Sequence, residues 1–379
     1  MNLILIFYLV YVKSSLVYAF GAGQILTNNI TCMWICFEML PTVRKENMTS
    51  KTKQHISKNI ISEIFNKHSL GNVINTTVLT GGKFNTVLKI QTEDQNQYVI
   101  KIAPDSSTEV LTYEQQLIKS EVYIYKLLSN VKKVHFPKIF GYNWDDSFKY
   151  KYLIMEFIEG DMLSDVKLSQ MDYDKVTFDL GCAMAEIHTI HNDSGFGYIQ
   201  NGLKETWKDA YYNMIENVIN DGINKNAKIP YLEKIKKTVE ENEFVLDFVK
   251  VPSLVHFDLW TGNIIVKNCK LYALIDCERA MFGDIMGEFI SLDYLSTFDL
   301  ENNKQLIRGY NSIAEQKINF DKYDLIRLYL MKLYLGLIAY VEPYYRLSKI
   351  TPEFYGTRNY AKKMLNNALV EIEKLNEKG

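Results

Sequence analysis

Residues 253–268 read SLVHFDLWTGNIIVKN, an apolar run of the kind that forms a buried strand, yet His256, Asp258 and Asn263 interrupt it within eight positions. Burying a carboxylate or an imidazole is costly unless a hydrogen bond, a counter-charge or a metal compensates. Three such groups this close together raise the question of what compensates them, and the order of the other polar residues along the chain supplies the answer. The following segment raises the same demand. NIIVKNCKLYALID reads as a β-hairpin turning at Asn268, Cys269 and Lys270, and it ends in Asp276, a carboxylate at the tip of an apolar strand.

The chain around this loop divides in two. Residues 72–103 carry short β-branched runs split by Gly81-Gly82 and by TEDQNQ, which predicts three antiparallel strands. EVLTYEQQLIKSEVYIYKLLSN follows, with Leu117, Val122, Tyr125 and Leu128 near helical spacing and Asn130 as a stop. FPKIFGYNW and YKYLIMEFIEG supply two more strands, the second ending at Gly160. Beyond Asp161 the texture is helical, with YDKVTFDLGCAMAEIHTIHN, the long IPYLEKIKKTVEENEFVLDFV, and three helices after Leu300. The expected fold class is α+β and bilobal. An antiparallel β-lobe over 48–158 meets a hinge at Glu156 to Gly160, and a mainly helical lobe over 159–379 holds the opening loop.

Composition removes several function classes. Formal net charge is −2 with both signs mixed along the chain, so no nucleic acid is expected as a partner, and no obligate protein partner is inferred. Cys32, Cys36, Cys182, Cys269 and Cys277 form neither a disulfide framework nor a paired zinc spacing, which suits a reducing, cytoplasmic setting. Residues 1–47 are an apolar extension with three open readings. It is signal-like but lacks a basic leading region; it is near the length of a membrane anchor; or it is a gene-model extension ahead of a start at Met48.

The order of polar groups carries chemical meaning. Lys101 ends the strand YVIKIAP, Glu121 lies in the next helix, the His-Asp-Asn loop comes after the lobe change, and Asp276 closes the hairpin. That is the order of parts for phosphoryl transfer in the kinase architecture. The triphosphate is polyanionic, so catalysis rests on positioning and charge compensation. Lys101 would meet the α- and β-phosphates, held in place by Glu121. Asn263 and Asp276 offer the hard oxygens that Mg2+ prefers. Asp258 would orient the acceptor hydroxyl and take its proton, with His256 as a brace. The turn LTGGKFNTV, containing Gly81, Gly82 and Asn85, sits where a phosphate-covering loop belongs.

LVHFDLWTGNIIV followed by LYALIDCERAMFGDIMGEF resembles the aminoglycoside phosphotransferase and choline kinase group of small-molecule kinases. The pattern His-x-Asp-x4-Asn, then Ile-Asp-x-Glu, then Gly-Asp falls on His256, Asp258, Asn263, Asp276, Glu278, Gly283 and Asp284. The resemblance implies a protein-kinase-like fold, ATP with Mg2+ as cofactors, and phosphorylation of a hydroxyl on an aminoglycoside, amino alcohol or related metabolite. It also implies that Glu156, Phe157 and Ile158 form the hinge whose backbone holds adenine.

The departures disfavour the alternatives, a protein kinase or a nucleotide-binding scaffold. Trp260 stands where protein kinases carry a lysine, Asp276-Cys277-Glu278 replaces Asp-Phe-Gly, and no Ala-Pro-Glu segment follows. A scaffold, for its part, has no use for Lys101, Asp258, Asn263 and Asp276 together. Phe257 replaces the glycine of the plain His-Gly-Asp found in many antibiotic kinases.

The acceptor side is less defined. Glu278, Asp284 and Glu288 are expected either to line an acidic pocket for an amine-bearing acceptor or to support the loop by hydrogen bonds. Glu342, among the tyrosines of the C-terminal helices, would help hold a cationic acceptor against ring faces. His188 and His191 lack a third ligand and read as packing or helix-capping residues.

Overall fold

A computed structural model describes residues 50–377 apart from 80, 81, 292–296 and 350. The chain divides into two units, Met1–Met48 and Thr49–Gly379, and every described residue belongs to the second. The readings of residues 1–47 therefore concern residues outside the described ones. Among the described residues no helix is long and apolar enough to cross a membrane.

The first lobe is a helix, α1 (Lys58–Lys67), followed by five strands: β1 (Val73–Val78), β2 (Thr86–Thr92), β3 (Gln97–Ile102), β4 (Ile139–Asn143) and β5 (Tyr152–Glu156). A second helix, α2 (Leu117–Leu128), lies between β3 and β4 in the chain. The strands pair in the order β1-β2-β3-β5-β4, all antiparallel. Side chains alternate between the two faces of a strand, and here the alternation decides the chemistry. Ile100, Ile102, Tyr152 and Ile154 join Ile61, Ile64 and Phe65 of α1 in one apolar core. Leu153 and Met155 join Val122 and Ile124 of α2 in the other. Lys101, flanked by Ile100 and Ile102, is thereby turned toward α2 and the second lobe.

Two expected helices are shorter than their patterns. Helical structure begins only at Leu117, because Gln116 is left-handed and residues 112–114 make a single 3-10 turn. Glu114 closes that turn by accepting the Leu111 N–H at 3.0 Å, so it lies outside the helix. The run IPYLEKIKKTVEENEFVLDFV also breaks. Its α-helix stops at Glu241, and the buried Asn242 donates its side-chain amide to the Thr238 carbonyl at 2.8 Å. Such a local side-chain bond competes with the helical ladder.

The second lobe contains α3 (Gln170–Ile187), α4 (Trp207–Asn224), α5 (Leu232–Glu241), a single turn α6 (Glu288–Ser291), α7 (Lys304–Ile313), α8 (Lys322–Arg346) and α9 (Pro352–Glu377). Two small sheets sit among them. β6 (Asp161–Met162), β8 (Ile264–Lys267) and β9 (Lys270–Leu274) pair in that order, and β7 (Ser253–Val255) pairs with β10 (Met281–Gly283). The β8–β9 turn is made by Asn268 and Cys269, both left-handed at φ 53° and 58°, which matches the twist of a two-residue hairpin; Lys270 already belongs to β9. α8 is buried on all sides over residues 328–338, as a central helix must be.

α3 and α7 touch backbone to backbone through glycine. A Cβ on Gly181 would overlap the Leu306 carbonyl, and one on Gly309 would overlap the Phe178 carbonyl. Alanine gains ~1 kcal/mol of helix propensity over glycine, but overpacking against rigid backbone costs about 1–3 kcal/mol or more. Gly309→Ala should therefore lower the urea midpoint of unfolding. An unchanged or raised midpoint would show that the helices separate freely.

Candidate active site

Lys101 is the meeting point of the two lobes' charged groups. Its ammonium donates to Glu121 of α2 and, at 2.7 Å, to Asp276 Oδ1 at the end of the β8–β9 hairpin. Glu121 is fully buried, and the partner of the lysine is this residue rather than Glu109 or Glu114. Burial alone would pull the ammonium's pKa down, but the Asp276 and Glu121 carboxylates outweigh it and hold it well above its ordinary value. Burial acts against the Asp276 charge too, and Lys101 reverses it, leaving that carboxyl below the usual range. Asp276 is itself left-handed at φ 67°, and its N–H donates to the Tyr125 hydroxyl of α2 at 3.0 Å. A strained backbone is thus fixed from the same helix that fixes the lysine.

The opening loop leaves β7 and turns at once, with Phe257 left-handed at φ 58°. For a residue with a Cβ this conformation costs roughly 1–2 kcal/mol, and glycine would adopt it freely. Two contacts hold it. Glu288, fully buried, accepts the His256 N–H at 2.7 Å and the Phe257 N–H at 3.0 Å with its two oxygens. The Phe257 ring, also fully buried, stacks on Tyr334 of α8 with centroids 5.9 Å apart. Burial raises the pKa of Glu288, but His188, whose Nε2 lies 3.6 Å away, and the charge of His256 bring it below its ordinary value. The His256 ring places Nε2 3.2 Å from the Ile275 carbonyl, bracing the loop against the hairpin that ends in Asp276.

Beyond this turn the loop presents its polar groups. Asn263 donates its side-chain amide to both the Asp258 carbonyl and Asp258 Oδ2, each at 2.8 Å. Its own carbonyl accepts the Ile275 N–H at 3.1 Å, so Asn263 and Asp276 come from neighbouring stretches of backbone. Asp258 Oδ1 faces Arg279 Nη1 at 3.3 Å. Trp260 is 41 % exposed, and its indole lies flat against Gly262, where any Cβ would collide with it.

The remaining expected residues divide. Asn85 donates to Glu278 at 3.4 Å, joining the β1–β2 loop to the segment after Asp276. Burial, with the neighbouring Asp276 charge, lifts the Glu278 carboxyl well above the usual range. Gly82 lies in the same loop, and Gly81 falls outside the described residues. At the hinge, the Glu156 carboxylate lies 2.8 Å from His135 Nε2, Phe157 carries the Lys89 ammonium 3.6 Å above its ring, and Ile158 packs with Ile265, Ala273 and Ile275. Asp284 and Glu288 do not line an open pocket. Asp284 is buried, accepts the Met286 N–H at 3.0 Å and pairs with Arg327 at 3.2 Å, while Glu288 is spent on the loop amides. Glu342 is not free for a cation either, because Arg279 and Arg346 occupy it at 3.3 and 2.5 Å. Arg279 and Arg346 were not foreseen. The signal available was an arginine directly after Glu278, and the i, i+4 spacing of Glu342 and Arg346 on one helix.

A family model, that of the phosphotransferase enzyme family, matches residues 75–323, more than half of the chain. The chain belongs to this family. The matched region of this phosphotransferase runs from β1 to the start of α8 and includes Lys101, Glu121, His256, Asp258, Asn263, Asp276 and Arg279, whereas Arg327, Tyr334, Glu342 and Arg346 of α8 lie beyond it. The mitochondrial protein "altered inheritance of mitochondria protein 9" of Meyerozyma guilliermondii is 30% identical over 136 residues, covering 33% of this chain and 22% of that relative. The chain thus matches less than a quarter of that protein's length. Among solved structures, a candidate fructosamine-3-kinase from Thermobifida fusca superposes with a TM-score of 0.60 at 16% identity, covering 83% of this chain and 100% of the other. The streptomycin–ATP–APH(2″)-IIa ternary complex superposes at 0.54 and 18% identity, covering 85% and 97%. At such identities the likeness establishes the shared bilobal α+β fold.

Phe257 offers a test of what fixes the loop. Glycine would relieve ~1–2 kcal/mol of left-handed strain, but removal of a buried phenyl ring costs about 3–5 kcal/mol. Phe257→Gly should therefore lose roughly 1–4 kcal/mol of unfolding free energy in denaturant titration. A variant as stable as the parent would mean that the ring contributes little and that Glu288 alone sets the turn.

Proposed function

We propose that this phosphotransferase moves the γ-phosphoryl group of ATP to a hydroxyl of a small molecule, an aminoglycoside, amino alcohol or related metabolite. The observation that carries the reading is the joining of Lys101 to both Glu121 and Asp276, beside a loop whose Asp258 and Asn263 are bonded to each other. ATP is the donor by analogy with the streptomycin–ATP complex of a structural relative. The free thiols of Cys182, Cys269 and Cys277 suit a cytosolic setting.

The residues fit a magnesium ion. The Asn263 amide nitrogen is tied down by Asp258, which leaves its side-chain oxygen for a cation, and Asp276 adds a carboxylate held in its charged form by Lys101. Two carboxylates on one ammonium leave an excess negative charge that a hard cation would balance. When bound at Asn263 and Asp276, the ion would supply positive charge to offset that of the phosphates.

In this reading the chain's own residues do the following. The Lys101 ammonium contacts the phosphates and is kept charged and aimed by Glu121. The β1–β2 loop, with Gly82 and Asn85, covers them. Asp258 accepts a hydrogen bond from the acceptor hydroxyl. As the new O–P bond forms and the bond from phosphorus to the β-phosphate oxygen breaks, the hydroxyl proton passes to Asp258 and ADP leaves. Both Asp258 oxygens already receive donors, from Asn263 and Arg279. In a loose phosphoryl-transfer transition state the hydroxyl proton leaves late, so the first task of Asp258 is to orient that hydroxyl. Trp260 supplies an exposed aromatic face two residues from the base, a surface for the acceptor's ring or chain.

The test is ADP release by the full chain with Mg2+-ATP and a panel of streptomycin, hygromycin B, choline, ethanolamine and glycated amines. Asp258→Asn should cut kcat by about 10²–10⁴-fold with nucleotide affinity retained, the usual size of a general-base effect. Lys101→Met should weaken nucleotide binding as well as turnover. Failure of the parent to bind ATP, or full activity of Asp258→Asn, would refute the reading.

A further inference from the structure

Arg279 divides its guanidinium between two carboxylates, with Nη1 3.3 Å from Asp258 Oδ1 and Nη2 3.3 Å from Glu342 Oε1. Glu342 is gripped in turn by Arg346 Nη1 at 2.5 Å, one turn further along α8. Arg346 Nη2 then reaches Glu114, in the connector between β3 and α2. Five charges alternate in sign from the first lobe to the candidate base: Glu114, Arg346, Glu342, Arg279, Asp258. Their side chains are only 1–15% exposed, so each depends on its neighbours for compensation.

Arg346 has two more ties to the first lobe. Its guanidinium lies 5.2 Å from the centroid of Phe84, in the β1–β2 loop, and its carbonyl accepts the Lys51 N–H at 3.0 Å. The connector that carries Glu114 is seated on the second lobe as well. Asp221 of α4 accepts from the Thr112 N–H and hydroxyl, both at 2.8 Å, and Asn201 donates to the Thr112 carbonyl at 2.8 Å. The end of α8 is therefore where the seating of the phosphate-side loop and connector meets the charge chain that ends on Asp258.

An arginine fork held at both ends is pre-organised, whereas one released from Glu342 loses the anchor that fixes its angle to Asp258. We propose that Glu342 and Arg346 are positioning residues. They set Arg279, and through it the Asp258 carboxylate, and they make that setting depend on the β1–β2 loop and the β3–α2 connector being seated. In this role they act through Arg279 rather than by contact with the acceptor or the nucleotide. The proposal rests on the reading of Asp258 as the base for phosphoryl transfer. It also assigns Glu342 away from recognition of a cationic acceptor.

The experiment is steady-state kinetics on the full chain with Mg2+-ATP and whichever acceptor of the panel gives the fastest ADP release, or water where none does. Glu342→Gln and Arg346→Met should lower kcat by about tenfold or more with the KM for ATP changed by less than about threefold, the signature of a misplaced catalytic group rather than lost binding. Glu342→Asp and Arg346→Lys keep the alternation of charge and should recover part of kcat. They also supply the answer if either neutral variant fails to fold. The inference is overturned if Glu342→Gln and Arg346→Met keep kcat within about twofold. It is equally overturned if the charge-conserving variants are no faster than the neutral ones, or if kcat falls only together with ATP binding. Absence of ADP release from the parent, or full activity of Asp258→Asn, would instead remove the phosphotransfer reading and this inference with it.

Discussion

The Lys101 ammonium lies between two carboxylates that come from different parts of the chain, Glu121 on α2 and Asp276 at the end of a hairpin in the second lobe. Taking an ammonium out of water is costly, and its mutual attraction with nearby carboxylates offsets that cost only in good geometry. Removing one partner of such a buried pair typically costs ~3–5 kcal/mol, because it strands a charge. The three residues thus hold one another, and through them β3, α2 and the β8–β9 hairpin. The fold meets that geometry by strand alternation: Ile100 and Ile102 enter the α1-side core, which leaves Lys101 no direction but toward the other lobe. Tyr125 adds a second tie from the same helix to the Asp276 backbone. The rest of the site is arranged around a lysine that its apolar neighbours aim.

The loop after β7 solves a different problem. It must turn sharply enough to bring Asp258 back toward Asn263, and the turn falls on a phenylalanine. Glycine would make the backbone easier but would leave space next to Tyr334. Phenylalanine fills that space at the cost of local strain, and burial of the ring outweighs the strain. Glu288 then satisfies two buried N–H groups that the turn removes from any sheet ladder. A carboxylate inside the protein is thereby structural. It accepts the two loop N–H groups, and His188 Nε2 lies 3.6 Å from it.

This division of roles explains what the sequence discloses. The pairing of Lys101 with an acidic residue on α2, the hairpin ending in Asp276, and the His-Asp-Asn loop are local patterns. Each is readable from strand alternation, turn residues and a carboxylate at the tip of an apolar run. The use of Glu288 and Asp284 is not readable in that way. Both are acidic residues near the motif, and only the packing of α6 under the loop and of Arg327 against Asp284 turns them inward. The start of α2 at Leu117 depends on Glu114 closing a turn and meeting an arginine more than 200 residues away in sequence. The helix α1 is different: Ser57 caps its start and Ile61, Ile64 and Phe65 fall at helical spacing, the local signal of a short amphipathic helix. The inward turn of Glu288 and Asp284 and the start of α2 have no such local signal, because each is decided by a partner distant in the chain.

The positive charge beside Asp258 is likewise supplied from a distance. Protein kinases carry a lysine two residues after the catalytic aspartate, whereas here that position is Trp260, whose indole lies on Gly262 and cannot supply charge. The cation that faces Asp258 is Arg279, which comes from the segment following Asp276. A lysine in the loop would be fixed by the loop itself. An arginine from outside it needs its own anchor, and the second half of its fork finds one in Glu342. With the cation in the neighbouring segment rather than in the loop, Asp258 is tied to α8 through Arg279 and Glu342. The last helices of the second lobe, which otherwise read as core, become part of the geometry around Asp258 because the loop carries an aromatic ring at the position of the lysine.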